Sequence, residues 1–272
     1  RQRQMCIRDR DRGYADVDNL SGFPYYDGSA ENFLRRWWHT DDAEWRDGPR
    51  QCLFDKDYDG CLWWNYLMEQ LGTNKTEPNY GSEFMRTFWE RLVDSGETGK
   101  ANSKEVMESL IASRGSSLEE MFHDFTICNY VREFDATALA KGDRYTYVDE
   151  ETLALGVSVD KNTTSVTGSG STTVKPWSTF YTEATVSRQD ECLAVGFKAE
   201  SDGDNVAISV VAIDRDDKVI GIKKSRASEY AGVFFSTPDR PIARICGIVA
   251  GLEEEVQVDW DFDAGVPCCL LY

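Results

Sequence analysis

The feature that most constrains this chain is a change of hydrophobic period partway along it. Up to about residue 128 large apolar residues recur every three or four positions, and from about residue 179 they alternate with polar ones. The first period belongs to helices with a buried face and the second to strands half-buried in a sheet. A chain so patterned is α+β, with an N-terminal α-helical subdomain followed by a C-terminal antiparallel β-sandwich.

In the helical part, LWWNYLMEQL from Leu62 to Leu71 is apolar around most of its circumference. Its polar residues Asn65 and Glu69 are i,i+4 neighbours on one side. Such a segment is expected as a core helix, starting after Asp59-Gly60 and stopping at Gly72. A short helix is expected around Ala30–Trp38. A longer amphipathic one runs from Ser82 to Val93, with Phe84, Met85, Phe88, Trp89, Leu92 and Val93 along its stripe. Another starts near Ser103 and turns Val106, Met107, Leu110 and Ile111 inward, with Gly115 as its C′ residue. Ser116-Ser117-Leu118-Glu119 reads as a capping box. It opens a helix carrying Leu118, Met121, Phe122, Phe125 and Cys128. His39, at a helix end, and His123, beside Asp124, read as cap or surface residues.

Residues 14–150 thus make the helical subdomain, and the Ser/Thr/Gly-rich stretch 151–173 reads as a linker. Residues 174–265 make the sandwich. Its strands are expected at Thr179–Val186, Cys192–Ala199, Val206–Ile213, Val219–Lys223, Gly232–Ser236, Ile242–Ala250 and Val256–Phe262.

With 30 basic and 48 acidic residues the chain carries a net charge of -18. Nucleic acid and anionic membranes are therefore poor partners. The apolar run at Leu62 is far short of the roughly 20 residues of a membrane span. None of the cysteines forms a CxxC pair, so zinc ribbons and thioredoxin motifs are unsupported. Cys52 and Cys61 flank a short acidic loop and are candidates to close it as a disulfide. Two N-x-S/T sequons, at Asn74 and Asn162, are compatible with secretion. The expected location is extracellular or at the cell surface.

The acidic loop is Asp55-Lys56-Asp57-Tyr58-Asp59-Gly60, the first half of an EF-hand-type calcium loop. Its twelfth position is Tyr66, where a bidentate Glu belongs. Two readings stay open: a weak calcium site on Asp55, Asp57 and Asp59, or an acidic helix N-terminus capped by Asp59. G-x-S-x-G, dinucleotide and P-loop fingerprints are absent. A glycosidase pair cannot be located among so many carboxylates.

Both ends look foreign. MCIRDR at Met5–Arg10 and CLLY at Cys269–Tyr272 resemble translations of the two strands of a transposon-end adapter used in sequencing libraries. Residues 1–13 and 266–272, Cys6 and Cys269 included, are expected to be extraneous.

Several segments resemble the downstream half of a family of secreted zinc metalloproteases of the thermolysin-like clan. Tyr14–Asn19 looks like the family's Tyr/Asn-rich loop. Asp59–Trp64 with Tyr66, Leu67 and Glu69 looks like its aromatic core helix. Gly115–Glu119, Phe125 and Asn129-Tyr130 resemble its last helix. Val174-Lys175-Pro176-Trp177 and Ile248–Leu252 resemble strands of its C-terminal domain. The resemblance spans roughly residues 14 to 265 and implies a parent protein with zinc on an HExxH helix and a protein or peptide substrate. No HExxH occurs in this sequence, so no catalytic residue is carried over. The expectation is an inactive part of a metallopeptidase-like protein. The alternative is a non-enzymatic extracellular adhesion or binding module, calcium-stabilised if the acidic loop holds the ion.

Overall fold

The computed structural model describes residues 53, 61–76, 81–94, 100–137, 142–147, 159–186, 193–201, 205–226, 230–237 and 239–265. The described elements are helices first and strands after, as the change of period demands. Helices α1 (Cys61–Leu71), α2 (Ser82–Asp94), α3 (Lys100–Ala112) and α4 (Leu118–Val131) are followed by a 3-10 turn at Gly142–Tyr145. Then come β1 (Asn162–Ser165), β2 (Ser169–Val174), β3 (Thr179–Thr185), β4 (Ala194–Ser201) and β5 (Val206–Asp214). The last four are β6 (Val219–Arg226), β7 (Gly232–Phe235), β8 (Ile242–Gly251) and β9 (Val256–Gly265). This is the α+β class with a C-terminal β-sandwich. By contact density the chain divides into two compact units, and the division falls inside α4, after Phe125. No described helix is long and apolar enough to cross a membrane.

In the helical unit α1 buries Leu62, Trp63, Tyr66 and Leu67. Trp63 meets Phe122 and Phe125 edge-on, with ring centroids 6.2 and 5.2 Å apart. Its indole N–H donates to Met107 Sδ at 3.4 Å. Tyr66 packs on Phe125 and Tyr147. The other side of α1 is only half-buried, at Trp64, Asn65, Met68 and Gln70, so α1 is a one-faced helix. On α2 the buried stripe is Phe84, Phe88 and Leu92, narrower than expected, and Val93 is 42% exposed.

The turns of this unit are built by glycine and serine. Gly72 ends α1 by donating to Met68 O at 3.0 Å. It lies so close to Gly81, itself at φ 63°, that a Cβ on Gly72 would sit 2.2 Å from Gly81 Cα. Only glycine fits at both positions. At the end of α3 Gly115 takes φ 83°. Ser116 N reaches back to Ile111 O at 3.4 Å, closing a Schellman turn. Ser117 then caps α4 by accepting from Glu120 N at 3.1 Å, while Ser116 Oγ donates to Glu120 Oε2. The capping box therefore sits one residue later than Ser116–Glu119.

The helix buried on all sides is α4, from Met121 through Val131. His123 is 3% exposed, which corrects the surface position expected for it. The error has a clear source: His123 stands beside the charged Asp124, a pairing that suggests solvent, yet both are buried, as are Thr126 and Asn129 on the same helix. Polar groups survive burial when they are hydrogen-bonded, and each of these four has an interaction partner.

In the strand unit the sheets run β1-β3-β8-β5-β6 and β2-β9-β4-β7. Every pairing is antiparallel except β1 with β3. The core between the sheets is formed by alternate residues: Phe180 and Ala184, Ile245 and Val249, Ile208 and Val210, Val195 and Phe197, Val258, Trp260 and Phe262. Gly247 on β8 is where the Phe197 ring lies, since a Cβ there would be 2.3 Å from Phe197 Cε2. On its other face the five-stranded sheet carries the second half of α4. Tyr130 OH donates to Glu183 Oε2 at 2.7 Å and Tyr181 OH donates to Thr126 O at 2.9 Å.

The stretch expected as a linker over 151–173 holds β1 and nearly all of β2. Hydrophobic period could not reveal them. NTTS and SGSTTV contain one apolar residue, Val174, because both strands sit at sheet edges with most side chains exposed. After β2, Lys175-Pro176-Trp177-Ser178 makes a tight turn with Pro in its second position and Trp177 at φ 52°. Trp177 N donates to Gly251 O at 2.9 Å and Gly251 N donates to Ser178 O at 3.0 Å. This locks the turn onto the end of β8.

Candidate functional site

The residues singled out for metal binding, Asp55, Asp57 and Asp59, lie outside the described residues, as do His39 and Cys52; of Cys61 only the backbone is described. Among the described residues no group of three or more His, Cys, Asp or Glu is placed to hold a metal ion. A zinc site takes three or four such ligands, so the described residues do not fit zinc. Cys128 and Cys246 are buried and not joined in a disulfide. Burial, and then the charge of Glu183, pushes the Cys246 thiol up, away from the reactive thiolate form.

A buried set of titratable groups lies around the helix–sheet junction of the strand unit. Lys161, just before β1, donates to Glu133 Oε2 at 2.9 Å and stands 3.5 Å from Glu183 Oε2. Glu133 also accepts from Val159 N at 2.6 Å. The ammonium lies 5.1 Å from the Tyr130 ring centroid and 5.9 Å from that of Phe134. Side-chain exposures of 17% for Lys161, 12% for Glu133 and 8% for Glu183 leave the group largely out of water. Burial opposes the charge on Lys161, but the two carboxylates outweigh it and hold the ammonium above the usual lysine range. Burial, reinforced by Cys246 and Glu183, pushes the Tyr130 hydroxyl well up. These are the marks of an acid–base centre. They are equally those of a structural clamp, and here every donor points at another group of the clamp.

An accessible surface exists on the outer face of the four-stranded sheet. Strand alternation along β9 turns Val258, Trp260 and Phe262 inward and Asp259, Asp261 and Asp263 outward. The register sets Glu200 beside Asp259, Lys198 beside Asp261 and Gly196 beside Asp263. Ser171 and Ser169 flank Asp259 and Asp261 from β2. Together these bound a shallow open groove of about 390 Å³, lined by Ser169, Gly170, Ser171, Lys198, Glu200, Asp259, Trp260 and Asp261. Lys198 pairs with Glu200. Partial burial, then Asp263, raises the Asp261 carboxyl, whose Oδ1 is buried with no hydrogen-bond partner. Past Asp263 the Tyr230 ring lies over Gly196, and its hydroxyl donates to Asp263 Oδ2 at 2.7 Å. Tyr230 and Phe235 are exposed, by 36% and 54%.

Sequence reasoning nominated none of these residues. Glu133, Lys161 and Glu183 are separated by whole elements, and only the fold brings them together. Three aspartates at every second position of one strand were legible as alternation, but their groove depends on β2, which carried no apolar signal.

No family model matches the sequence, and no curated protein matches it. Solved structures similar to part of it include the pre-peptidase C-terminal domain of a collagenase from Bacillus anthracis. That match has 7% identity and a TM-score of 0.30, and covers 38% of this chain and 95% of that domain. Another is PliG from Aeromonas hydrophila, a periplasmic inhibitor of g-type lysozyme. Its identity is 10% and its TM-score 0.26, with 39% of this chain and all of that one covered. At such scores neither neighbour carries an argument about this chain.

Proposed function

We propose that the chain is a non-catalytic part of a secreted, metallopeptidase-like protein: a helical subdomain that flanks a zinc site in the preceding sequence, joined to an accessory β-sandwich. The observation that supports this most is the role taken by the motifs that carry the family resemblance. Trp63, Tyr66 and Phe125 pack together, Ser117 caps a helix, and Trp177 locks onto Gly251. All are packing devices, none is a catalytic group, and the polar surface left over is an open sheet face. The parent's zinc and its protein or peptide substrate belong to this proposal, as does the extracellular location. Sequencing the gene upstream tests it. An HExxH within the preceding hundred or so codons is expected, and an upstream region with no peptidase motif would overturn it.

The open groove also supports a second reading, a free-standing extracellular adhesion or binding module. Another β-sandwich repeat upstream would favour that one.

A further inference from the structure

We infer that the outer face of the four-stranded sheet docks an extended cationic peptide segment. The inference rests on reading the β-sandwich as an accessory binding part. Asp259, Asp261 and Asp263 recur at every second residue of β9, with Glu200 beside the first. That repeat is about 7 Å, twice the rise of a strand residue. It equals the repeat of side chains on one side of an extended peptide, so lysines or arginines at alternate positions meet successive carboxylates. Against these four acids the described part of the face carries one ammonium, Lys198, already drawn to Glu200. Past Asp263 the face turns aromatic, with exposed Tyr230 and Phe235. Phe235 shares the outward side because it pairs with Ala194, two residues from Gly196. The occupant is therefore basic along its length and apolar at one end. An excess of carboxylates repels phosphate backbones, and a neutral sugar makes no use of it.

The test is a titration of the full 272-residue chain with a peptide of about ten residues, lysine at every second position and a leucine at one end, followed by amide NMR. Shifts confined to β4, β9 and the Tyr230–Phe235 region are expected. The dissociation constant should weaken several-fold when salt rises from about 0.05 to about 0.5 M. It should weaken at least about tenfold in Glu200→Gln/Asp259→Asn, both at exposed positions. No shifts at millimolar peptide would overturn the proposal, as would shifts elsewhere. So would undiminished binding by the folded variant, or a neutral oligosaccharide moving the same amides more strongly than the peptide. If the variant fails to fold, the shift map and salt dependence of the unmodified chain decide alone. An upstream HExxH with no peptide binding would sink this inference and leave the proposed function standing.

Discussion

Replacing Lys161 by Met tests whether the Glu133–Lys161–Glu183 group clamps β1 and α4 together. Methionine keeps most of the aliphatic stem and removes the charge. The variant loses the 2.9 Å hydrogen bond to Glu133, the 3.5 Å pairing with Glu183 and the cation–π contact with Tyr130. It leaves two carboxylates in a site only 12% and 8% exposed. Removing one partner of a fully buried pair costs about 3–5 kcal/mol. Glu133 keeps its bond from Val159 N and Glu183 keeps that from Tyr130, and Lys161 retains some contact with water. These reduce the expected loss to about 2–3 kcal/mol. The pH dependence supplies a second signature. In the parent chain the two carboxylates outweigh burial and hold the Lys161 ammonium above the usual lysine range. A raised group stabilises below its unfolded pKa and loses that contribution as pH rises through its folded pKa. The deficit of the variant should thus be undiminished between about pH 7 and about pH 9, below the ordinary lysine range, and shrink only as pH rises through the raised value. Urea denaturation followed by far-UV circular dichroism at both pH values measures it. A loss below about 0.5 kcal/mol, the scale of an exposed pair, or a deficit that falls away between about pH 7 and about pH 9, would refute the clamp.

Three further outcomes follow from the same packing. Leu67 is fully buried on α1, so Leu67→Ala should cost about 2–5 kcal/mol, and an unchanged thermal melt of the helical unit would make that helix peripheral. Gly247→Ala puts a methyl 2.3 Å from the Phe197 ring and should lower stability by about 1–3 kcal/mol through overpacking; a melt equal to the parent's would show that the ring moves aside freely. If Asp55, Asp57 and Asp59 hold calcium, millimolar calcium should raise the melting temperature and Asp57→Ala should abolish the rise, whereas calorimetry with no heat at millimolar calcium removes the site.

The class of fold was legible because both halves bury a regular face: Phe84, Phe88 and Leu92 at helical spacing, Val256, Val258, Trp260 and Phe262 at strand spacing. What escaped was whatever departs from amphipathic order. β1 and β2 are edge strands built of Ser, Thr and Gly, held by backbone ladders to β3 and β9, and no hydrophobic period marks such strands. The polar residues of α4 misled in the opposite sense, since His123 and Asp124 are buried where pattern alone puts them in water. Of the candidate site, the alternating aspartates of β9 were readable. Their neighbours Glu200, Lys198 and Ser169 come from strands 50 or more positions away in the chain, set beside them by register alone.

The most direct test of the central claim, that this chain is a non-catalytic part, combines metal analysis with a cleavage assay on the purified 272-residue protein. A zinc peptidase needs a metal on about three protein ligands with a general base in reach of its water. The sequence contains two histidines in all, His39 and His123, and they are not spaced as a ligand pair. After exchange into zinc-containing buffer and desalting, less than about 0.1 zinc per chain and no cleavage of a peptide library are expected. Zinc at about one per chain, together with cleavage that a chelator abolishes and zinc restores, would contradict the account.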